Sequence, residues 1–380
     1  MSHPLTVAAI QMDANPAGRE SRLQKAETLV RAAASAGARL IVLPELFNVG
    51  YTYADSNYER AEPFNGPTVT WMRRLATLLN VHLAGSLLLL HEDEVYNALL
   101  LLAPDGRYWR YDKIYPWGWE RAYFRNGRDI TVARTDLGDI GMLICWDSAH
   151  TDLWQRYAGQ VDLMLIASCP PQVSNPTYHF ANGATLTFDE MGPLLRSIKG
   201  ADRAVFGEMI NEQAAWLGVP VINSVGCGHI ETHLPNAKGS LLAMALLSPR
   251  LLPHLSQAEE VVMACDMTPG CKVVDGDGRI LAQRSQAEGD GFALAAVTLA
   301  GQRPQPTVPQ PVTRAPLLSY FISDVALPLL TAPVYRQGVR RAWGERMAPF
   351  TATARWAAAG VGLGTAVVFA LGYIFGRARR

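Results

Sequence analysis

Apolar and polar positions along the first 300 residues follow two periods, one of about two and one of about 3.6. Residues 5–12 form a short apolar run. Residues 20–36 then repeat helically with an alanine-rich face, and Gly37 is placed to close that helix. Residues 39–43 are a second buried-strand pattern ending at Pro44. Residues 68–80 predict a helix and 81–90 a strand, while 95–103 and 107–112 flank a Pro-Asp-Gly turn and predict a hairpin. The runs 140–144 and 161–167 lie either side of a helix-like stretch. Residues 201–217 predict a helix and 219–224 a strand. Residues 272–274 and 279–282 enclose an Asp-Gly turn, and 292–299 predict a closing strand. Mixed alternation of this kind predicts one α/β domain over residues 1–300, its sheets covered by helices.

The pattern breaks at Gly301. Residues 301–316 hold Pro304, Pro306, Pro309, Pro311 and Pro316 among few large apolar residues, which predicts a semi-extended linker. Residues 317–347 begin with an apolar stretch interrupted by Asp324, Pro328 and Pro333, suited to an amphipathic, interfacial or re-entrant segment. Residues 356–376 contain no charge. A helix there would be about 31 Å long at 1.5 Å per residue, close to the ~30 Å hydrocarbon core of a bilayer. Arg355 precedes it and Arg377, Arg379 and Arg380 follow, so 355–376 predicts a transmembrane helix and 377–380 a basic tail.

Lys plus Arg and Asp plus Glu both number 34, which gives no basic excess for a nucleic-acid partner. The five cysteines form no C-x-x-C pair, and no secretory leader pattern precedes residue 5. A cytoplasmic, reducing location for the catalytic domain fits both facts, with the C-terminal helix anchored in a membrane. His229, Glu231 and His233 are not in the order of a zinc protease helix, so no metal is expected.

Three residues stand out for chemistry. Glu45 follows the apolar run 39–43, Lys113 follows the hairpin, and Cys145 ends the run 140–144. Open α/β sheets place active sites at such strand ends. Taken together, the surroundings resemble the nitrilase superfamily of carbon–nitrogen hydrolases. PELFNVGY around Glu45, VYNALLLLAPDGRYWRYDK ending at Lys113 and IGMLICWD around Cys145 are similar to its three signatures. GWERAYFRNG is similar to the stretch that carries an additional active-site glutamate, here Glu120. GVPVINSVG, KVVDGDGRILA and EGDGFALAAVTL resemble the family's later strands. After Cys145 the sequence departs from the family, with His150, Thr151 and Asp152 where an aromatic-Pro-Glu group is common, and residues 170–199 match poorly.

The resemblance implies a four-layer α-β-β-α sandwich plus the C-terminal transmembrane helix, and a homodimer or larger oligomer. It also implies a Glu45–Lys113–Cys145 triad with Glu120 orienting Lys113 or the substrate amide. The Cys145 thiol would attack an amide or N-carbamoyl carbon with Glu45 as base, form a thioester, and release ammonia or an amine. No organic cofactor is required. Tyr51, Trp117, Trp146 and Cys169 are candidate substrate-binding residues, and His150 is expected on a helix surface. The alternatives are a nitrile substrate, a lipid-linked amide handled by hydrolysis or acyl transfer, and a non-catalytic membrane scaffold. No G-x-S-x-G elbow supports a serine hydrolase.

Overall fold

The computed structural model describes residues 3–299 and 303–343; the expected segments 355–376 and 377–380, and the end of 317–347, lie outside them. Eight strands come first: β1 (His3–Asp13), β2 (Leu40–Val42), β3 (His82–His91), β4 (Glu94–Leu102), β5 (Tyr108–Asp112), β6 (Val132–Thr135), β7 (Gly138–Ile144) and β8 (Leu163–Ser168). The short β9 (Thr177–His179) and β10 (Thr185–Thr187) precede β11 (Val221–Cys227), β12 (His229–His233) and β13 (Val262–Asp266). The hairpin β14 (Lys272–Val274) and β15 (Ile280–Gln283) leads to β16 (Gly291–Leu299).

Twelve of these strands are hydrogen-bonded in the order β5-β4-β3-β2-β1-β11-β8-β7-β6, with the β14–β15 hairpin branching from β11 and β16 lying antiparallel along β1. The strands β3, β2, β1, β11, β8 and β7 run parallel. Parallel strands buried on both faces carry apolar side chains on both, and β1 does so. Its Leu5, Val7 and Ala9 meet Leu99 and Leu101 of β4 and Ile140, Met142 and Ile144 of β7 in one core. Its Ala8, Ile10 and Met12 meet Val30 of the helix Arg19–Ser35 and Met72 and Leu75 of the helix Pro67–Leu79 in the other. Val205, Met209 and Leu217, from the helical stretch 203–217, pack into the first of these cores. The β1–β5 half thus faces the β7–β8 half with helices outside, giving the expected α/β sandwich.

Two differences from the sequence reading bear on the site. A second sheet, β10-β9-β13-β12, stands apart from the first; strands of three to five residues carry too short a pattern to read. The stretch 303–316 has no regular structure but is fastened to the domain. Gln310 bonds Gln213 and the Thr151 carbonyl, and Trp216 donates to the Val308 carbonyl at 3.0 Å. Beyond it Leu317–Trp343 is one helix of 27 residues with a wider π-type turn at Ile322–Ala326.

Candidate active site

Four loops leaving the C-terminal ends of β2, β5, β7 and β8 converge at one point, and they carry Glu45, Lys113, Cys145 and Cys169. All four residues are buried. Cys145 has φ +48° at the turn where β7 passes into a short 3-10 turn, and Leu46, next to Glu45, has φ +50°. Left-handed backbone at residues with a Cβ costs on the order of 1–3 kcal/mol and persists where the surroundings enforce it. Asp147 enforces it here. Its carboxylate accepts from the Ile144 amide (3.1 Å), the Tyr111 hydroxyl (2.8 Å) and the Tyr115 amide (2.7 Å), tying the cysteine turn to β5 and the lysine loop.

Lys113 Nζ donates to Glu45 Oε1 at 2.7 Å and to Glu120 Oε2 at 2.6 Å. Burial opposes its charge, but Glu120 and Glu45 outweigh that and hold the ammonium above its usual range. Glu45 also accepts from the Asn97 side chain (2.7 Å) and the Cys169 backbone amide (2.9 Å). Glu120 accepts from the Tyr51 hydroxyl (2.7 Å) and the Trp117 amide (2.8 Å). Burial pushes the Glu120 carboxyl up, against the pull of Lys113. An ammonium has three N–H donors. Two serve carboxylates, which leaves one for an oxygen of a bound molecule.

The Cys145 thiol is raised well above the ordinary range by burial first and by the charge of Glu45 second, with Lys113 drawing it down. The proton therefore stays on sulfur until a nearby base takes it. The cavity at Cys145 measures about 40 Å³ and is lined by Tyr51, Trp117 and Trp146 among others. By the same measure one water needs roughly 10–15 Å³, so the space admits a short, slender chain.

The structure brings Glu45, Lys113, Glu120 and Cys145 together and sets Tyr51, Trp117 and Trp146 in the cavity wall. Cys169 is placed differently from the sequence reading. It is outside the wall, where its amide steadies Glu45 and its thiol donates to the Glu45 carbonyl at 3.2 Å. His150 is not a surface residue either. It stacks on Tyr115 with ring centroids 3.5 Å apart and faces Asp324 of the C-terminal helix at 3.0 Å. Asn97 and Asp147 went unread as supports. Asn97 left a signal, a lone amide within the apolar EVYNALLLL of β4.

The C-terminal helix closes one side of this cavity with Ser319, Ile322, Ser323 and Leu327. Ser323 accepts from the Gly118 amide (3.0 Å), Tyr320 donates to the Ala149 carbonyl (2.7 Å), and Asp324 accepts from the Trp146 indole (3.2 Å).

Residues 6–186 match the carbon–nitrogen hydrolase family, a stretch that contains Glu45, Lys113, Glu120 and Cys145. The matched stretch is a carbon–nitrogen hydrolase domain. Among its curated relatives, a nitrilase of Pyrococcus abyssi is 32% identical over 146 residues, covering 37% of this chain and 55% of that one. An N-carbamoylputrescine amidase of Solanum lycopersicum is 34% identical over 154 residues, covering 38% and 51%. The chain thus spans just over half the length of these relatives. Solved hydrolase structures share the fold. A CN-hydrolase superfamily protein of Xanthomonas campestris superposes with a TM-score of 0.56 at 18% identity, covering 79% of this chain and 91% of that one. Nit3 of Saccharomyces cerevisiae, a member of the nitrilase superfamily, gives 0.56 at 19%, covering 77% and 89%.

Proposed function

We propose that the hydrolase domain cleaves a non-peptide carbon–nitrogen bond, of an amide or an N-carbamoyl compound, through a thioester on Cys145. The observation that carries this reading is the buried cluster in which Lys113 bridges Glu45 and Glu120 beside the thiol. Glu45 takes the thiol proton as sulfur attacks the carbonyl carbon, and the free N–H of Lys113 and the Trp146 amide receive the oxyanion. Glu45 then protonates the departing amine, the C–N bond breaks, and the thioester remains. A water molecule deprotonated by Glu45 next attacks the thioester, releasing the acid and the thiol. Glu120 holds Lys113 in place through Oε2, while its Oε1 is anchored by the Tyr51 hydroxyl.

Ammonia release by the purified protein from carboxamides, N-carbamoyl compounds and nitriles tests this, with Cys145→Ala alongside. The expected result is turnover of an amide or carbamoyl substrate that falls at least about a thousandfold in the variant. Nitriles as the better substrates would move the reading to the nitrile alternative. Silence across the panel from both proteins would overturn it.

The same reading places the domain at a membrane and includes assembly as a homodimer or larger oligomer, which light scattering of the purified chain tests. Two features support the membrane. Residues 356–376 are uncharged and bracketed by arginines. Over its first half the helix Leu317–Trp343 also has its polarity inverted, whereas Gln337, Arg340 and Arg341 face solvent further on. Toward the domain it buries Ser319, Ser323, Leu327, Thr331, Tyr335 and Val339, and outward it exposes Leu317, Val325 and Leu329. Only 22% of its most apolar window is buried, which separates it from a core helix. With polar residues against the domain, it suits lying along an interface better than crossing one. Leu329→Glu with Val325→Glu should lower binding to phospholipid vesicles while leaving the melting temperature within a few degrees; unchanged vesicle binding would remove this helix from the proposal.

A further inference from the structure

The cavity beside Cys145 is apolar over most of its wall, with Pro170, Pro171, Ile198 and Phe206 prominent. Nearly every polar group in that wall is occupied. The Tyr51 hydroxyl bonds Glu120 and Tyr53, and Ser323 Oγ accepts from Gly118. Two fully buried oxygens are not. Asp202 Oδ1 and Ser319 Oγ have no hydrogen-bond partner, and each residue is only 7% exposed. One comes from the start of the helix over residues 201–217, immediately before its π-type turn Arg203–Met209, and the other from the C-terminal helix.

Buried polar groups in native proteins are nearly always paired, and a carboxylate is the costliest to leave without a partner. Burial pushes the Asp202 carboxyl up, and the backbone amides of 202, 203 and Val173 with the exposed Arg203 draw it back only in part. An ionised carboxylate is acceptor-only, and a serine hydroxyl both accepts and donates. Together they ask for a group rich in N–H. Both residues lie beyond residues 6–186, so they belong to the part of this chain that the family match does not reach.

Resting on the hydrolase reading, we propose that Asp202 and Ser319 form a distal subsite that takes a protonated primary amine at the end of the substrate remote from the scissile bond. The substrate class is then a short aliphatic amide or N-carbamoyl compound with a terminal ammonium. The ammonium donates one N–H to Asp202 and one to Ser319, while the methylene chain between lies against the prolines and Phe206. A carboxylate in that position would face Asp202 and be rejected.

The test is steady-state kinetics of the full-length protein on matched pairs of equal length. Straight-chain ω-amino amides of three to six carbons would run beside the plain alkyl amides and the ω-hydroxy amides. The wild type should prefer the amino member at one chain length by tenfold or more in kcat/KM, mostly through KM. Asp202→Asn should bring that ratio close to one, and Ser319→Ala should lower it a few-fold. The ratio is the readout, so a general loss of rate does not mimic the effect, and Asp202→Asn should melt no lower than the wild type. Equal use of amino and alkyl amides, or a preference that survives Asp202→Asn, would overturn the proposal. Preference for the hydroxy member would overturn the ammonium assignment. Calorimetric titration of Cys145→Ala protein with n-butylammonium separates this subsite from the hydrolase reading. Binding weakened tenfold or more by Asp202→Asn supports the subsite even if no amide is turned over, and unchanged binding sinks it.

Discussion

The two ends of one cavity treat buried polarity in opposite ways. At the Cys145 end every charged group is matched: Lys113 lies between Glu45 and Glu120, and each carboxylate has backbone or side-chain donors besides. At the Asp202 end a carboxylate oxygen and a hydroxyl are buried with no partner. Matched charges hold a fixed geometry, which a covalent step needs. Unmatched groups raise the free energy of the empty site, and a ligand that satisfies them recovers it. On the proposed reading, the contrast separates the part of the site that performs the reaction from the part that selects for it.

The hardest blow to the matched end is Lys113→Met. It leaves Glu45 and Glu120 buried without a counter-charge, a loss of about 3–5 kcal/mol in stability. It also removes an oxyanion donor, with an expected fall of about 100- to 1,000-fold in kcat. Denaturant unfolding and single-turnover kinetics measure the two separately, and a variant as stable as the wild type would show that the cluster is not held by charge.

Asn97→Ala removes one donor from Glu45. A hydrogen bond to a charged group is worth about 1.5–3 kcal/mol, so kcat should fall roughly 10- to 100-fold with KM little changed. A rise in KM alone would place Asn97 with the substrate instead.

The thiol offers a pH test of the same cluster. Burial and then Glu45 raise Cys145, and Lys113 lowers it. Alkylation by iodoacetamide should therefore rise with pH through a midpoint above the ~8.5 of a free thiol. Glu45→Gln removes a raising charge and should shift that midpoint down, whereas Lys113→Met should shift it up. Shifts of the opposite sign would show that hydrogen bonding rather than charge sets the thiol.

The smallest effect belongs to the seam between domain and C-terminal helix. Asp324 meets His150 at 3.0 Å, Trp146 at 3.2 Å and Arg121 at 3.8 Å. Asp324→Asn weakens these contacts by about 1 kcal/mol, so amides in Leu317–Trp343 should exchange hydrogen roughly fivefold faster. Unaltered exchange would mean that Ser323, Tyr320 and Tyr335 fasten the helix without Asp324.

By itself the sequence determined a helix-covered α/β domain and singled out Glu45, Lys113 and Cys145, because both are written locally. Apolar runs show their period; Lys113 and Cys145 stand directly after β5 and β7, and Glu45 comes three residues past the short β2. Their neighbours complete motifs eight to nineteen residues long. Asn97 and Asp147 lay inside those motifs, yet their roles depend on which strand packs across from them, and no periodicity encodes that. Only the tertiary structure decided the rest of the site. Asp324 lies 174 residues from His150, and Ser323 lies 205 from Gly118. The polar stripe of the C-terminal helix reads as apolar in one dimension because its serines are sparse among leucines. Its meaning appears once the helix is laid across Cys145 with that stripe inward. Asp202 is likewise an ordinary acidic residue until burial removes its water. Desolvation is a property of the packed chain, and it turns such residues into candidates for recognition.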